Sequence, residues 1–447
     1  MALLTEAAPR YTSYPTAAQF HGGIGRHEAA TWLGALPPGS ALSLYVHIPF
    51  CNTLCFYCGC NKIITKDKSK AAVYLEYLKK EIAMQGELFK GNSDVAQLHW
   101  GGGTPTFLSD EQMSELMGAI RTHFRLVEDG EYSIEIDPRK VNAQTIELLA
   151  KLGFNRISLG VQDFDPEVQK AVNRIQSEEE TLNVINAARK YGFKSISIDL
   201  IYGLPKQTVE GFNRTLDRII AANPDRLAIY NYAHLPALFM PQRRINEEDL
   251  PSSDAKLQIL SMSIKRMTDA GYVYIGMDHF AKPDDELAVA QRMGRLHRNF
   301  QGYSTHADCD LVALGITAIG KVGPTYSQNF RTLEDYYKSL DNNVLPLMRG
   351  IELNADDLLR RDIIQALMCQ FSLSKKTIEI AHNISFDSYF GQELGELKTS
   401  QDYGLVVLDK DRITVTPKGR LLIRNIGMIF DKYLRMNKER KMFSKVI

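Results

Sequence analysis

Four cysteines crowd into ten residues, Cys51-Asn-Thr-Leu-Cys-Phe-Tyr-Cys-Gly-Cys60. Three residues separate Cys51 from Cys55, and two separate Cys55 from Cys58. Thiolates are soft ligands, and three on one short loop reach adjacent corners of a single iron–sulfur cube. An electron-carrying cubane takes four cysteines, so three leave one iron open to a small molecule. A structural zinc knot is the alternative. Such knots pair two cysteines with further ligands about a dozen residues away, and Cys309 and Cys369 show no such pairing. With only Gly59 between them, Cys60 can hardly join Cys58 on the same cube without strain.

Other stretches carry residues able to bind or react. Gly101-Gly-Gly-Thr-Pro-Thr106 follows an apolar run. Its glycines suit close approach to a ligand, although a tight turn uses them too. The stretch lacks the Gly-Lys-Ser/Thr of a phosphate loop. Glu135 and Asp137 end another such run, and at least one should face a site unless both are surface carboxylates or caps. Asp199, in Asp199-Leu-Ile-Tyr-Gly-Leu-Pro205, has apolar neighbours, and a buried acid needs a partner. Ribose hydroxyls or an arginine such as Arg174 would serve. His47 is equally a core histidine or a site residue.

The elements that must position these groups alternate between strand and helix. Short β-rich runs predict strands at 42–47, 96–100, 132–136, 156–160, 195–201 and 226–232. Helical periodicity marks 70–89, 110–124, 143–152, 177–191 and 209–221. Ser109 with Gln112, and Ser177 with Glu180, have capping-box spacing. This alternation predicts an α/β chain with a parallel sheet covered by helices. Chemistry in such sheets gathers at the carboxyl ends of the strands. His47 and the cysteine loop, the glycine run, Glu135 to Arg139, Gln162-Asp163, Asp199 to Pro205 and Asn231 to His234 all fall at those ends.

Farther on, 253–270 predicts a helix, and 279–330 is less regular and rich in Arg, His and Gly. Helices follow at 333–340, 355–370 and 374–381, then a hairpin at 404–416 turning at Asp409-Lys-Asp411. That sequence of elements looks like a winged helix, which suits a packing or lid domain, since neither charge nor motif presses DNA binding. Arg10-Tyr-Thr-Ser-Tyr-Pro-Thr16 predicts a docked arm, 29–36 a short helix and 438–445 a solvated basic tail.

The chain has 447 residues, 44% apolar and 24% charged, as a globular protein does. Its 53 basic residues balance 53 acidic ones, so no global field draws it to nucleic acid. Six cysteines in this length form no disulfide framework and suit a reducing compartment. The first ten residues lack the regions of a signal peptide, and no apolar run approaches the ~20 residues of a membrane span. A cytoplasmic monomer is expected.

The cysteine loop and glycine run together resemble the radical S-adenosylmethionine (SAM) superfamily. Closer still, Tyr45-Val-His-Ile-Pro-Phe-Cys51, Cys58-Gly-Cys-Asn-Lys62, His99-Trp-Gly-Gly-Gly-Thr-Pro-Thr106 and Glu135-Ile-Asp-Pro-Arg139 resemble the oxygen-independent coproporphyrinogen III oxidase family. So do Gly160-Val-Gln-Asp-Phe164, Tyr230-Asn-Tyr-Ala-His-Leu-Pro236, Gly276-Met-Asp-His-Phe280 and Asn299-Phe-Gln-Gly-Tyr303. The resemblance implies a partial (β/α)6 barrel over 41–285, after an N-terminal arm over 1–40. A mostly helical, winged-helix-like domain over 286–447, with a small antiparallel hairpin, would cover the substrate.

The resemblance also implies a [4Fe-4S] cluster on Cys51, Cys55 and Cys58, and two SAM molecules. Tyr45, Tyr57, Gly102 and Glu135 match the first SAM site. Gly103, Thr104, Gln162, Arg174, Asp199, Ala233 and Ile319 match the second, and Cys60 matches a cysteine needed for activity. The implied reaction converts two propionates of coproporphyrinogen III to vinyl groups, giving protoporphyrinogen IX. A 5′-deoxyadenosyl radical takes a hydrogen from the propionate β-carbon, and carbon dioxide and one electron leave. Arg10, Arg139 and Arg298 are candidates to pair the other carboxylates, and a reduced flavodoxin or ferredoxin is the implied electron donor. His306 and Lys321 depart from the family pattern. They motivate a related enzyme that methylates or opens a tetrapyrrole, and a haem chaperone without turnover is a further alternative.

Overall fold

The computed structural model describes residues 8–22, 31–32, 39–89, 94–307 and 309–436. The basic tail at 438–445, and all but 31–32 of the short helix expected at 29–36, lie outside the described residues. The chain divides into two compact units. The larger comprises 21–270 with 308–352, and the smaller comprises 1–20, 271–307 and 353–447.

The larger unit is built on a βα repeat. Its first half runs β1 (Ala41–Ile48), α1 (Ser69–Phe89), β2 (Asp94–Gly102), α2 (Asp110–His123), β3 (Arg125–Ile136) and α3 (Ala143–Lys151). Its second runs β4 (Arg156–Gln162), α4 (Pro166–Ala171), α5 (Glu178–Lys190), β5 (Ser195–Tyr202), α6 (Val209–Ala222), β6 (Arg226–Asn231) and α7 (Ser253–Asp269). Strands β1 to β6 pair in chain order, every pair parallel, as a partial (β/α)6 barrel does. Leu42, Leu44, Val46 and Ile48 of β1 are fully buried, as are Ile198 and Leu200 of β5. These apolar residues stand at alternate positions and so share one face of each strand, while Tyr45, His47 and Asp199 alternate onto the other. Helix starts are fixed locally. Ser109 and Ser177 form the two expected capping boxes, and the Thr208 side chain accepts from Gly211 N–H to open α6.

The stretch expected to be irregular instead extends the sheet. β7 (Asp310–Leu314) pairs parallel with the free edge of β1, Leu42 opposite Asp310 and Val46 opposite Leu314. β8 (Ile319–Val322), β9 (Thr325–Asn329), then α8 (Leu333–Asp341) and β10 (Leu347–Glu352) continue outward as antiparallel neighbours. Residues 308–352 therefore join the larger unit, unlike the division expected at 285/286. These strands are short and broken by Gly315, Gly320 and Gly323, and their pairing with β1 is long-range, so no local pattern announces it.

A buried carboxylate fastens this extension to α1. Glu81 accepts from Gly315 N–H at 2.7 Å, Asn329 Nδ2 at 2.7 Å and Tyr336 OH at 2.6 Å. Burial pushes its pKa up against these hydrogen bonds.

In the smaller unit, helix Ala355–Gln370 packs beside a sheet of Ser372–Ser374, Arg412–Val415 and Val406–Leu408, all antiparallel. The last two strands are the expected hairpin. The N-terminal arm is docked: Tyr11 and Tyr14 are buried, and Tyr11 OH donates to Asp431 at 3.0 Å.

Candidate active site

The carboxyl ends of β1 to β6 border an open cavity of about 290 Å³. After β1, the chain turns through Pro49 into the cysteine loop. Cys51, Cys55, Cys58 and Cys60 all line the cavity, as do Tyr57 and Lys62. The loop is anchored from several sides. Thr104 Oγ1 donates to Cys51 Sγ at 3.4 Å, and Arg174 Nη1 reaches Cys55 Sγ at 3.6 Å. Lys62 Nζ donates to Cys58 O at 2.9 Å. A hydrogen bond from the Cys60 thiol pulls Cys58 down to about 6, against burial, and the same contact pushes Cys60 up.

The glycine run after β2 is shaped by contact with this loop. Gly102 has φ +111°, and an added Cβ would stand 2.6 Å from the His47 ring. At Gly103 an added Cβ would meet Pro49 C at 2.7 Å, so only glycine lets the two backbones approach. His47 is held by Tyr45 OH at 3.0 Å on Nδ1 and by Asn61 O at 3.1 Å on Nε2.

Glu135, at the end of β3, accepts from Gly102 N–H at 3.1 Å and contacts His99 Nε2 at 3.3 Å. Burial pushes its pKa up, yet the His99 and Gly102 hydrogen bonds outweigh it and hold the group ionised. Asp137 is chelated by Arg139, with Nε at 2.9 Å and Nη2 at 2.6 Å, and lies 3.5 Å from Arg174 Nη2. Both acids therefore line the cavity. Asp199 accepts from Ser158 Oγ at 3.1 Å. Burial, then the Glu135 charge, raises it to about 7. Its hydrogen-bond partner is Ser158, while Arg174, offered as a partner beside ribose hydroxyls, turns to Asp137, Cys55 and the Gly160 carbonyl.

Of the site residues expected from sequence, Cys51, Cys55, Tyr57, Cys58, Cys60, Gly102, Gly103, Thr104, Glu135, Gln162, Arg174 and Asp199 share this cavity. Tyr45, Ala233 and Ile319 do not line it. Tyr45 stacks on His99 with ring centroids 5.9 Å apart, Ala233 O accepts from Gln242 Nε2 at 3.1 Å, and Ile319 lies on β8 opposite Gln328. The three candidate arginines are engaged within the protein. Arg139 holds Asp137, Arg10 pairs with Asp278 at 2.6 Å, and Arg298 lies 4.8 Å over the Tyr303 ring. His99, Ser158 and Lys62 were not singled out. The signal for His99 is its place two residues before Gly101, on the same strand face.

The cavity's chemistry fits a cluster and a polar organic ligand. No trio of Cys, His, Asp or Glu among the described residues gathers closely enough to hold a single metal ion. Two polar atoms of cavity residues, Gln162 Oε1 and Arg174 Nε, are buried without a partner among the described residues. Gln162 also sits at a bulge with φ +71°, a conformation non-glycine residues hold at a cost. A bound ligand with donors and acceptors would satisfy such groups.

Comparison with known proteins agrees. The radical SAM superfamily model matches residues 45–219, and the HemN C-terminal domain model matches 353–422. The oxygen-independent coproporphyrinogen III oxidase of Pseudomonas aeruginosa is 54% identical over 445 residues, covering 99% of this chain and 96% of that protein. Its Escherichia coli counterpart is 52% identical over 441 residues, covering 99% and 96%. The solved structure of Escherichia coli HemN, described as a radical SAM enzyme, superposes with a TM-score of 0.93 at 51% identity, covering 95% of this chain and 98% of that one. A chain alike over this whole length, with the cysteine loop and glycine run at matching strand ends, belongs to the oxygen-independent coproporphyrinogen III oxidase family of radical SAM enzymes.

Proposed function

We propose that this chain decarboxylates two propionates of coproporphyrinogen III to vinyl groups without oxygen, giving protoporphyrinogen IX for haem synthesis. The observation that carries the reading is the one cavity onto which three loop thiols, the glycine run and the ionised Glu135 all open. Cys51, Cys55 and Cys58 hold a [4Fe-4S] cluster. When bound, cluster and SAM supply a hydrogen-abstracting carbon radical.

Every other task falls to the chain's own groups. Glu135 receives the SAM amino group beside the Gly102 backbone, with Tyr57 on that side and Tyr45 behind it, stacked on His99. We assign Gly103, Thr104, Gln162, Arg174, Asp199, Ala233 and Ile319 to a second SAM. The unpartnered Gln162 Oε1 and Arg174 Nε support that assignment for two of them. Cys60, exposed at the rim, stands toward the substrate. Holding each propionate β-carbon in line supplies much of the rate. Each propionate gives one hydrogen atom to the carbon radical, then releases carbon dioxide and passes one electron to a one-electron oxidant distinct from the reduced donor. A reduced flavodoxin- or ferredoxin-type carrier is the electron donor.

Anaerobically reduced enzyme given SAM and coproporphyrinogen III tests the reading. Vinyl product and SAM cleavage are expected. A methylated or opened macrocycle, or tight haem binding without SAM cleavage, refutes it.

A further inference from the structure

Three charged side chains brace one thiol of the cysteine loop. Asp137 caps the turn Pro138–Lys140 by accepting from Arg139 N–H at 3.1 Å, and the Arg139 guanidinium folds back onto the same carboxylate. Arg174 follows α4, where Asn173 turns the chain at φ +55° and donates through Nδ2 to Leu54 O at 2.7 Å. Arg174 Nη1 reaches Cys55 Sγ at 3.6 Å, and Arg139 Nη2 stands 4.0 Å from the same sulfur. Cys51 Sγ, by contrast, takes the neutral Thr104 hydroxyl.

The charges of this group do not cancel. Both guanidiniums pair with Asp137, at 2.6 Å and 3.5 Å, and with no other carboxylate among the described residues. The cavity's other acids are engaged elsewhere, Glu135 by Gly102 and His99, and Asp199 by Ser158. The side chains are 10% exposed for Arg139, 8% for Arg174 and 12% for Asp137, so water and salt screen them little. Two cations and one anion leave one net positive charge beside Cys55. A buried charge without a counter-charge is costly, and the Cys55 sulfur is the group placed to take it.

We propose that Arg139, Asp137 and Arg174 set the reduction potential of the cluster by placing one net positive charge against the Cys55 sulfur. The inference rests on the reading of Cys51, Cys55 and Cys58 as cluster ligands. Net charge and hydrogen bonds to the sulfurs are what tune such potentials. Reduction brings in one electron from the reduced carrier and no proton, so a cation at a ligand sulfur favours the reduced form. The two arginines therefore ease reduction, and Asp137 limits the effect by cancelling half of their charge. All three are positioning residues in this role, since they act on a ligand and not on the reacting carbon.

The test is an anaerobic dithionite titration of SAM-free holoenzyme, followed by electron paramagnetic resonance. Arg139→Gln and Arg174→Gln each remove a cation. At a fixed potential the ratio of reduced to oxidised cluster should fall about tenfold, a midpoint about 59 mV lower for one electron. Asp137→Asn removes the opposing anion and should raise that ratio by a similar factor, and Arg139→Lys should stay near wild type. Unmoved midpoints overturn the proposal. So does an Asp137→Asn midpoint that moves the same way as those of the arginine variants, which would mark the three as scaffold only. If an arginine variant loses iron, the direction of the Asp137→Asn shift still decides. Wild-type protein without iron, sulfide or a reducible signal refutes the cluster reading itself, whereas a reducible cluster indifferent to these substitutions refutes only the tuning.

Discussion

Asp199 couples the site to stability. Its pKa, ordinarily 3.8, stands at about 7 through burial and the nearby Glu135 charge, with Ser158 as its hydrogen-bond donor. A group raised in the folded state contributes stability that is whole below the unfolded value and is lost as pH climbs through the folded one. For Asp199 that window runs from about pH 4 to about pH 7. A shift of about 3 units at 1.36 kcal/mol each sets a ceiling of about 4 kcal/mol. The cavity is open to water, which screens the charge, so about 2–4 kcal/mol is expected. Asp199→Asn removes the titration. In SAM-free holoenzyme, urea unfolding should show the variant gaining about 1–3 kcal/mol on wild type between pH 5 and pH 8, because about one unit of the window already lies below pH 5. The same variant should bind SAM more weakly, by about tenfold, as one ligand hydrogen bond is lost. A stability difference between variant and wild type that is the same at both pH values would refute the reasoning.

Cys60→Ala should keep iron and sulfide near wild-type content and abolish vinyl product; loss of the cluster would move Cys60 into the ligand set. Gly102→Ala places a Cβ 2.6 Å from the His47 ring at φ +111°, so calorimetry should show SAM affinity down more than about tenfold with iron content unchanged. Glu81→Gln turns an amide NH2 toward groups that themselves donate, and should cost about 2–3 kcal/mol in urea unfolding. Tyr336→Phe, which removes one donor, should cost about 1 kcal/mol in the same assay.

The βα repeat was legible because each element carries its own signal. Apolar runs such as 42–47, the capping boxes at Ser109 and Ser177, and glycines at strand ends are local features. Parallel pairing in chain order then follows from topology. Strands β7 to β10 were not legible. They are short, and β7 depends on partners in β1 more than 260 residues earlier. Within the site, the cysteine spacing and glycine run pointed to the right strand ends. Which arginine serves which acid is a matter of side-chain direction, so Arg174, one of the partners offered for Asp199 beside ribose hydroxyls, pairs instead with Asp137. The engagement of Arg10 and Arg298 likewise depends on tertiary neighbours, Asp278 and Tyr303.

Metal and acid-labile sulfide analysis of the anoxically purified chain tests the central claim most directly. About four irons and about four sulfides per chain are predicted, with both lost when Cys51, Cys55 or Cys58 is changed to alanine. Stoichiometric zinc without sulfide would contradict the account.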